Sequence, residues 1–251
     1  MELKGKTAIV TGGSRGLGKA MAIELACAGA LVVVAARTEE GGQSSLPGTI
    51  HETVKEIEKR GGKAIAVRFD ITKEQDVANL VEKVNAQWGP VDILINNAGI
   101  SVPKPLIELP VKQWDLLMQV NVRGTFLCTK AVLPQMVKRR SGNIINLSSV
   151  LAQTITMKYS LAYGVTKAAI ERFTLGLAEE MKEYNIAVNA LSPDFTVTEA
   201  VKIFRPDADT SGWQLPEMWG KYAVLVAGQE AKSLTGKILD ESALEEIFGP
   251  V

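Results

Sequence analysis

Two side chains four positions apart, Tyr163 and Lys167, form the pair in this sequence best suited to proton transfer. Residues at i and i+4 share one face of a helix, so a helical phenol and ammonium would project side by side. A nearby cation favours the phenolate, which lowers the tyrosine pKa and lets Tyr163 give or take a proton. Such pairs also occur on solvated helix faces, so this pair predicts carbonyl chemistry only together with other residues.

Two serines and an asparagine supply those other residues. Ser148 and Ser149 follow an apolar run, and Asn121 lies in the long helical stretch before that run. A hydroxyl near the phenol can hold a substrate oxygen, and an amide can anchor a water that relays protons to the lysine. We therefore predict Asn121, Ser149, Tyr163 and Lys167 as the catalytic set, with Ser148 as the alternative serine.

A glycine-rich stretch over residues 11–18 (TGGSRGLG) follows the first apolar run and opens a helical stretch. Glycines let the backbone turn sharply and approach a pyrophosphate, whose charge then meets the free N–H groups at the helix N-terminus. A tight strand-to-helix turn with no ligand would show the same glycines. Placed at the first βα junction, the stretch predicts a dinucleotide site that contains Gly12, Ser14, Arg15, Gly16, Leu17 and Gly18.

The end of the second apolar run indicates which dinucleotide is bound. An acidic residue near this point binds the adenosine ribose of NAD, and a basic residue accommodates the extra phosphate of NADP. Ala36 stands where the acid is expected, and Arg37 follows it. Arg15 could be a second cation on that phosphate, although both arginines could also be solvated surface charges. We predict NADP(H) as the cofactor.

Further turn residues follow the third and fourth apolar runs, at the edge of the sheet where such folds bind ligands. Asp70 could accept a hydrogen bond from the adenine amino group. These residues also read as helix caps or turns, because Asp, Asn and Gly are common there. We add Asp70, Ile71, Asn97, Ala98 and Gly99 to the predicted cofactor site.

Short apolar runs alternate with longer helical stretches along the chain, which predicts an α/β fold. Each crossover must place a helix over a sheet face, so the pattern indicates a doubly wound Rossmann fold with a parallel sheet of about seven strands. The predicted strands are 7–11, 31–36, 64–69, 91–96, 142–147, 187–191 and 236–239, and the predicted helices are 16–28, 52–60, 73–88, 111–139 and 162–183.

Two segments interrupt this alternation. Residues 38–49 (TEEGGQSSLPGT) are long and rich in Gly and Ser for a strand-to-helix connection. We predict that this insertion folds over the adenosine phosphate.

Residues 194–228 contain several aromatic side chains, and such a loop is a candidate substrate lid. Trp213 and Trp219 could be packing residues or substrate contacts.

Composition excludes several other classes of protein. The 251 residues fit one domain over 1–251, and 28 basic residues balance 28 acidic ones, so no nucleic acid or membrane partner is expected. Cys27 and Cys128 have no metal or redox spacing and are interpreted as buried residues in a reducing compartment. We predict a cytoplasmic enzyme without a metal site that acts on a small carbonyl or alcohol.

Taken together, these motifs resemble the short-chain dehydrogenase/reductase family, in its compact single-domain branch. The resemblance runs from Gly5 to about Leu239, and its motifs occur in the family's order over most of the chain. The matching positions are Thr11, Gly12, Gly16, Gly18, Asp70, Asn96, Asn97, Ala98, Gly99, Asn121, Ser149, Tyr163, Lys167, Asn189 and Pro193.

The resemblance implies a sheet order of 3-2-1-4-5-6-7 and hydride transfer between NADP(H) and a carbonyl or secondary alcohol, with Tyr163 as general acid and base. It implies that Lys167 also binds the nicotinamide ribose, and that Pro193, Thr196 and Thr198 contact the cofactor. Family members commonly form dimers and tetramers, so a homodimer or homotetramer is expected.

The chain departs from the family pattern in three places. Ser149 precedes Tyr163 by fourteen positions, one more than usual, and Asp194 stands where a glycine usually follows the proline. The 38–49 insertion is similar to a subgroup of hydroxysteroid dehydrogenase-like members. These departures leave alternatives open: a catalytically silent dinucleotide-binding regulator or scaffold, or a non-redox enzyme on the same fold.

Overall fold

Short β-branched and apolar runs form the strands of one parallel sheet in the computed structural model, which describes residues 3–155 and 157–251. Within these residues the sheet has seven strands in the order β3-β2-β1-β4-β5-β6-β7, and the predicted fold class is confirmed. The strands are β1 (Thr7–Thr11), β2 (Leu31–Ala36), β3 (Lys63–Arg68), β4 (Ile93–Asn96), β5 (Gly142–Leu147), β6 (Ile186–Leu191) and β7 (Ile238–Leu239).

Helices cover both faces of this sheet. They are α1 (Gly16–Cys27), α2 (Ile50–Lys59), α3 (Glu74–Trp88), α4 (Val111–Leu117), α5 (Gly124–Arg139), α6 (Leu161–Met181), α7 (Glu199–Phe204), α8 (Pro216–Ala227) and α9 (Glu241–Phe248). Side chains of α1, α2, α8 and α9 build one apolar cluster, and side chains of α3, α5 and α6 build the other. The sheet therefore lies between two cores.

The predicted helix over 111–139 is not continuous. After α4, residues Met118–Arg123 form a π-helical turn, and α5 then continues to Arg139. A π turn inserts one residue into the helical ladder and rotates the side chains that follow it, a feature frequent at functional sites. The turn carries Asn121 at a fully buried position.

The predicted lid over 194–228 divides into two parts. Its second half is α8, which packs on α1 and buries Trp219 and Tyr222 completely. The extension of the lid to residue 228 is therefore wrong, because α8 belongs to the core. The part over 194–215 contains α7 and a stack of Phe195 on Trp213, with ring centroids 5.0 Å apart.

The two cysteines differ in exposure. Cys128 is buried as expected, but Cys27 at the end of α1 is exposed, so the interpretation of both cysteines as buried residues is wrong for Cys27.

The described helices include none with the length and apolar content that a membrane span needs. Residues 3–155 and 157–251 also hold no group of three or more potential metal ligands.

Candidate active site

The carboxyl ends of the parallel strands gather the predicted site residues at one edge of the sheet. Thr11 ends β1, Asn97 follows β4, Ser149 follows β5 and Pro193 follows β6. Parallel strands all end at the same edge, so residues far apart in the sequence become neighbours there. The register confirms this, because Asn96 of β4 lies opposite Asn146 of β5, just before Ser149.

Helix α6 brings Tyr163 and Lys167 to the same edge. Lys167 is buried, and its Nζ donates a hydrogen bond to the carbonyl of Leu147 at 2.6 Å. The same Nζ lies 5.4 Å from the centre of the Tyr163 ring. A hydrogen bond joins the Tyr163 and Ser149 side chains. The structure thus places a hydroxyl, a phenol and an ammonium in one group.

The pKa values of this pair differ from the sequence-based expectation. Burial raises the pKa of Tyr163 to about 12, and the hydrogen bond with Ser149 lowers it only in part. Burial also lowers the pKa of Lys167 to about 8. The expected lowering of the tyrosine pKa by the lysine is absent: burial is the largest influence on the phenol, and the ammonium lies over the ring face. The protein alone therefore keeps the phenol protonated at neutral pH.

The two serines after β5 have different surroundings. The Ser148 hydroxyl donates to Oε1 of Glu171 at 2.7 Å and is buried. Ser149 instead lies beside Tyr163, and its Oγ also accepts the Leu151 N–H at 3.3 Å. The geometry therefore favours Ser149, rather than Ser148, as the hydroxyl that could hold a substrate oxygen.

Asn121 is held by protein groups on every side. Its Oδ1 accepts the Ile100 N–H at 2.8 Å, and its Nδ2 donates to the Ile100 carbonyl at 2.9 Å and to Thr166 Oγ1 at 3.0 Å. Both amide N–H groups are thus used. The side chain thus ties the loop after β4 to α6, and the role of Asn121 in anchoring a relay water stays a prediction.

The glycine turn closes tightly on the loop after β4. Gly12 has φ +67°, and a Cβ placed there would lie 2.8 Å from the Ala98 Cα, so only glycine fits. Asn97 Nδ2 donates to the Thr11 and Gly12 carbonyls at 2.9 and 3.1 Å, and the N–H groups of Asn97 and Ala98 both donate to Thr11 Oγ1. Gly18 is buried against the same amide, and Gly99 lies beside Asn121.

The N-terminus of α1 carries a protein carboxylate. Glu199, the first residue of α7, accepts the Gly16 N–H through Oε2 at 2.9 Å. Helix N-termini favour negative charge, so this position suits a carboxylate and a phosphate alike. Ser14 is buried in the same turn, and Leu17 packs on the adjacent apolar cluster.

Arg15 binds the 38–49 insertion. Its guanidinium donates to the Pro47 carbonyl at 2.8 Å, the Gly48 carbonyl at 2.9 Å, Ser44 Oγ at 3.2 Å and Thr38 Oγ1 at 3.3 Å. These contacts use four of its five N–H donors, so the expected bidentate grip on a phosphate is not available to Arg15 in this arrangement. Arg37 is exposed and is the freer cation.

Asp70 forms a turn at the end of β3. Its Oδ1 accepts the Thr72 N–H at 3.0 Å and the Thr72 hydroxyl at 2.8 Å. Burial raises the pKa of Asp70, but the Thr72 hydrogen bonds and the charges of Arg37 and Lys73 outweigh it and keep the pKa below its usual value. Ile71 is buried in the core. The contact of Asp70 with adenine stays a prediction.

The segment after β6 approaches the glycine turn. Pro193 accepts the Val150 N–H at 3.1 Å, Thr196 Oγ1 donates to the Asp194 carbonyl, and Thr198 caps α7 next to Gly16. Asp194 is exposed, lies outside the positive-φ residues of the described chain, and accepts its neighbour's N–H. The strain expected from replacing glycine is therefore absent, because this turn needs no positive φ.

A cavity of about 300 Å³ lies between α1 and the 197–217 segment. Its lining includes Lys19 of α1, Lys202 of α7, Gly16 and Glu199. The cavity does not include the catalytic set. Neither Ser149 nor Tyr163 therefore faces this cavity.

Sequence reasoning missed two carboxylates, Glu171 and Glu199. Glu171 is buried and lies four positions after Lys167, so it continues the i, i+4 series on the α6 face that carries Tyr163. That spacing was a usable signal, although burial of a charged residue is not visible in a sequence. The contact of Glu199 with Gly16 spans 183 positions and left no local signal.

Comparison with known proteins places this geometry in a family. The family model described as short chain dehydrogenase matches residues 6–209. Hydroxysteroid dehydrogenase-like protein 2 of Bos taurus is 38% identical over 248 residues, covering 98% of this chain and 59% of that protein. The chain thus spans about three fifths of the length of this relative.

Two further matches have dehydrogenase names. The 2-dehydro-3-deoxy-D-gluconate 5-dehydrogenase of Formosa agariphila is 37% identical over 206 residues, covering 82% of this chain and 75% of that protein. A solved structure from Beutenbergia cavernae, a candidate NAD(P)-dependent gluconate 5-dehydrogenase with bound NADP, has a TM-score of 0.85 and 30% identity. It covers 95% of this chain and 96% of its own. The chain belongs to the short-chain dehydrogenase family.

Proposed function

We propose that this protein is an NADP(H)-dependent oxidoreductase that interconverts a carbonyl compound and a secondary alcohol. The observation that carries the proposal is the group formed by Ser149, Tyr163 and Lys167 at the carboxyl edge of the sheet. When bound, the dinucleotide supplies or accepts the hydride. The protein must then hold the substrate oxygen and deliver or remove one proton.

Each residue of the group has a distinct task. Ser149 donates a hydrogen bond to the substrate oxygen and orients it toward the phenol. Tyr163 gives its proton to that oxygen during reduction and takes it back during oxidation. Lys167 holds its ammonium 5.4 Å from the centre of the Tyr163 ring, where it would bind the nicotinamide ribose beside the phenol.

The cofactor assignment rests on the charges around β2. Ala36 offers no carboxylate for the adenosine ribose, and Arg37 follows it on the surface. The next acid, Glu39, is paired with Arg68 at 3.5 Å. Burial lowers the pKa of Arg15, and the charge of Arg37 lowers it further, so a phosphate near the two guanidiniums would relieve their repulsion.

The decisive experiment is a comparison of wild-type protein with Tyr163→Phe. We expect the wild type to oxidise NADPH with at least one member of a broad panel of ketones, aldehydes and oxidised sugar acids. Loss of a general acid costs about 10²–10⁴-fold in turnover, so Tyr163→Phe should be almost inactive. Its NADPH dissociation constant, measured by fluorescence titration, should change little.

Tyr159→Phe is the matched control, because it removes the hydroxyl of an exposed tyrosine four positions earlier. This variant should keep the wild-type turnover. Equal turnover of Tyr163→Phe and wild type would reject Tyr163 as the proton donor. NADPH binding without turnover of any panel member would instead support the silent dinucleotide-binding alternative.

A further inference from the structure

The loop between β5 and α6 carries Ser149 on a short segment that is tied down on both sides. The N–H of Ser148 donates to the Leu191 carbonyl at 2.8 Å, and the N–H of Val150 donates to the Pro193 carbonyl at 3.1 Å. These bonds fix the backbone around Ser149 to the end of β6. They do not fix its distance from α6, where Tyr163 lies.

A buried carboxylate makes that second connection. Glu171 of α6 is only 8% exposed and accepts two hydrogen bonds from the loop. Its Oε1 accepts the Ser148 hydroxyl at 2.7 Å, and its Oε2 accepts the Gln153 side-chain N–H at 2.9 Å. The two donors lie on either side of Ser149, so a single side chain holds both ends of the segment.

Helix α6, which carries Glu171, also positions Tyr163. Tyr163 and Glu171 are eight residues apart, about two turns of α6, and therefore lie on nearly the same face. Gly164 allows the loop to approach this face, because a Cβ there would lie 2.7 Å from the Leu151 carbonyl oxygen. The loop and the helix are thus in direct contact between Tyr163 and Glu171.

A carboxylate is an expensive residue to bury here. Both of its donors are neutral, and a buried acid with neutral partners contributes less to stability than a packed apolar side chain of similar size. Packing alone would be served by leucine. What the carboxylate adds is the ability to hold two donors at once with defined geometry.

We propose that Glu171 is a positioning residue that sets the location of Ser149 relative to Tyr163. The inference rests on the proposed function, since it assumes that the Ser149 hydroxyl works together with the Tyr163 phenol. Glu171 itself acts through the Ser148 and Gln153 side chains and not on the substrate.

The test is a double-mutant cycle between Glu171→Leu and Ser149→Ala. In the wild-type background, Glu171→Leu should lower kcat about 10–100-fold, because catalytic groups displaced by about 1 Å lose this much. The KM and the NADPH dissociation constant should change less than about threefold. In the Ser149→Ala background the same substitution should cost little more, because the misplaced group is already absent.

Two variants separate positioning from general destabilisation. Glu171→Gln keeps the side-chain length but has one acceptor oxygen instead of two, so it should hold one of the two donors and lose less kcat than Glu171→Leu. Thr174→Val removes a buried hydroxyl on the next turn of α6, which binds Asn146 and not the loop. It should lower the melting temperature without lowering kcat.

Amide hydrogen exchange provides a readout that does not depend on turnover. Glu171→Leu should speed exchange over residues 150–154, and Thr174→Val should not. Unchanged exchange, or equal kcat losses in the two Ser149 backgrounds, would overturn the proposal. If the wild type turns over no substrate, the proposed function fails, and the exchange result alone still decides whether Glu171 holds the loop.

Discussion

At the scale of single residues, Lys167 shows how a site residue can cost stability. Its ammonium is buried, with the Leu147 carbonyl as its hydrogen-bond acceptor, and its pKa is lowered to about 8. In the unfolded chain the pKa of lysine is about 10.4. Between these two values the unfolded state binds more protons than the folded state, so stability must rise with pH.

This linkage predicts the effect of Lys167→Met. The free energy of unfolding of the wild type, measured without dinucleotide by urea denaturation, should rise between pH 8 and pH 10. The variant should show no such rise, and at pH 7 it should be more stable by roughly 2–3 kcal/mol. Lys112→Met, a change at an exposed lysine of α4, is the control. Parallel pH profiles for wild type and Lys167→Met would contradict the lowered pKa.

The residue scale also shows the limit of reading chemistry from spacing. The Tyr163 and Lys167 pair was visible because i, i+4 neighbours on a helix must lie together. The sequence did not show whether Ser148 or Ser149 faces the phenol. The Ser148 hydroxyl is held by Glu171, which lies 23 positions later in the chain. The partners of Asn121 were not visible for a similar reason, since Ile100 and Thr166 are distant from it in the sequence.

At the scale of elements, the seven strands and the longer helices α1, α2, α3 and α6 followed from the sequence, whereas the break in the predicted 111–139 helix and the helices α7, α8 and α9 did not. Apolar runs such as Leu31–Ala36 are buried on both faces and therefore read as strands. The π turn at Met118–Arg123 has an ordinary helical sequence, and only its packing against α6 and the loop after β4 marks it. Helix α8 was assigned to the lid because its aromatic residues suggested ligand contact, whereas they fill the core.

The 38–49 insertion is the element that we expect to control cofactor preference. Arg15 binds four groups of this loop, and Arg37 lies near enough to lower the Arg15 pKa. The wild type should bind NADPH more tightly than NADH in a fluorescence titration. Deleting Gly41–Pro47 should weaken NADPH binding about 5–10-fold, or about 1 kcal/mol, through loss of hydrogen bonds that orient Arg15.

A milder variant of the same loop keeps its length. Ser44→Ala removes one of the four Arg15 contacts and should produce a smaller loss of NADPH affinity than the deletion. NADH binding should change little in either variant, because NADH has no phosphate on the adenosine ribose. Equal affinities for the two dinucleotides in the wild type, or no loss in the deletion, would argue against this role.

At the scale of the whole molecule, α6 presents two different faces. One face carries Tyr163, Lys167 and Glu171 toward the sheet. The opposite face carries an exposed stripe at heptad-like spacing, formed by Leu161, Val165, Ala168, Arg172 and Leu175. Phe126 of the neighbouring α5 is also exposed. Apart from Arg172 the stripe is apolar, and exposed apolar surface of this kind often marks contacts between subunits.

We therefore expect the protein to form a dimer or tetramer through α5 and α6. Light scattering at micromolar concentration should give a mass of at least twice 27.0 kDa. Leu175→Glu places a charge in the centre of such a contact and should shift the protein to monomer while keeping its circular dichroism spectrum. Lys55→Gln changes the charge by the same amount on α2, at the opposite face of the sheet, and should leave the assembly intact. A monomeric wild type would show that this stripe has another role.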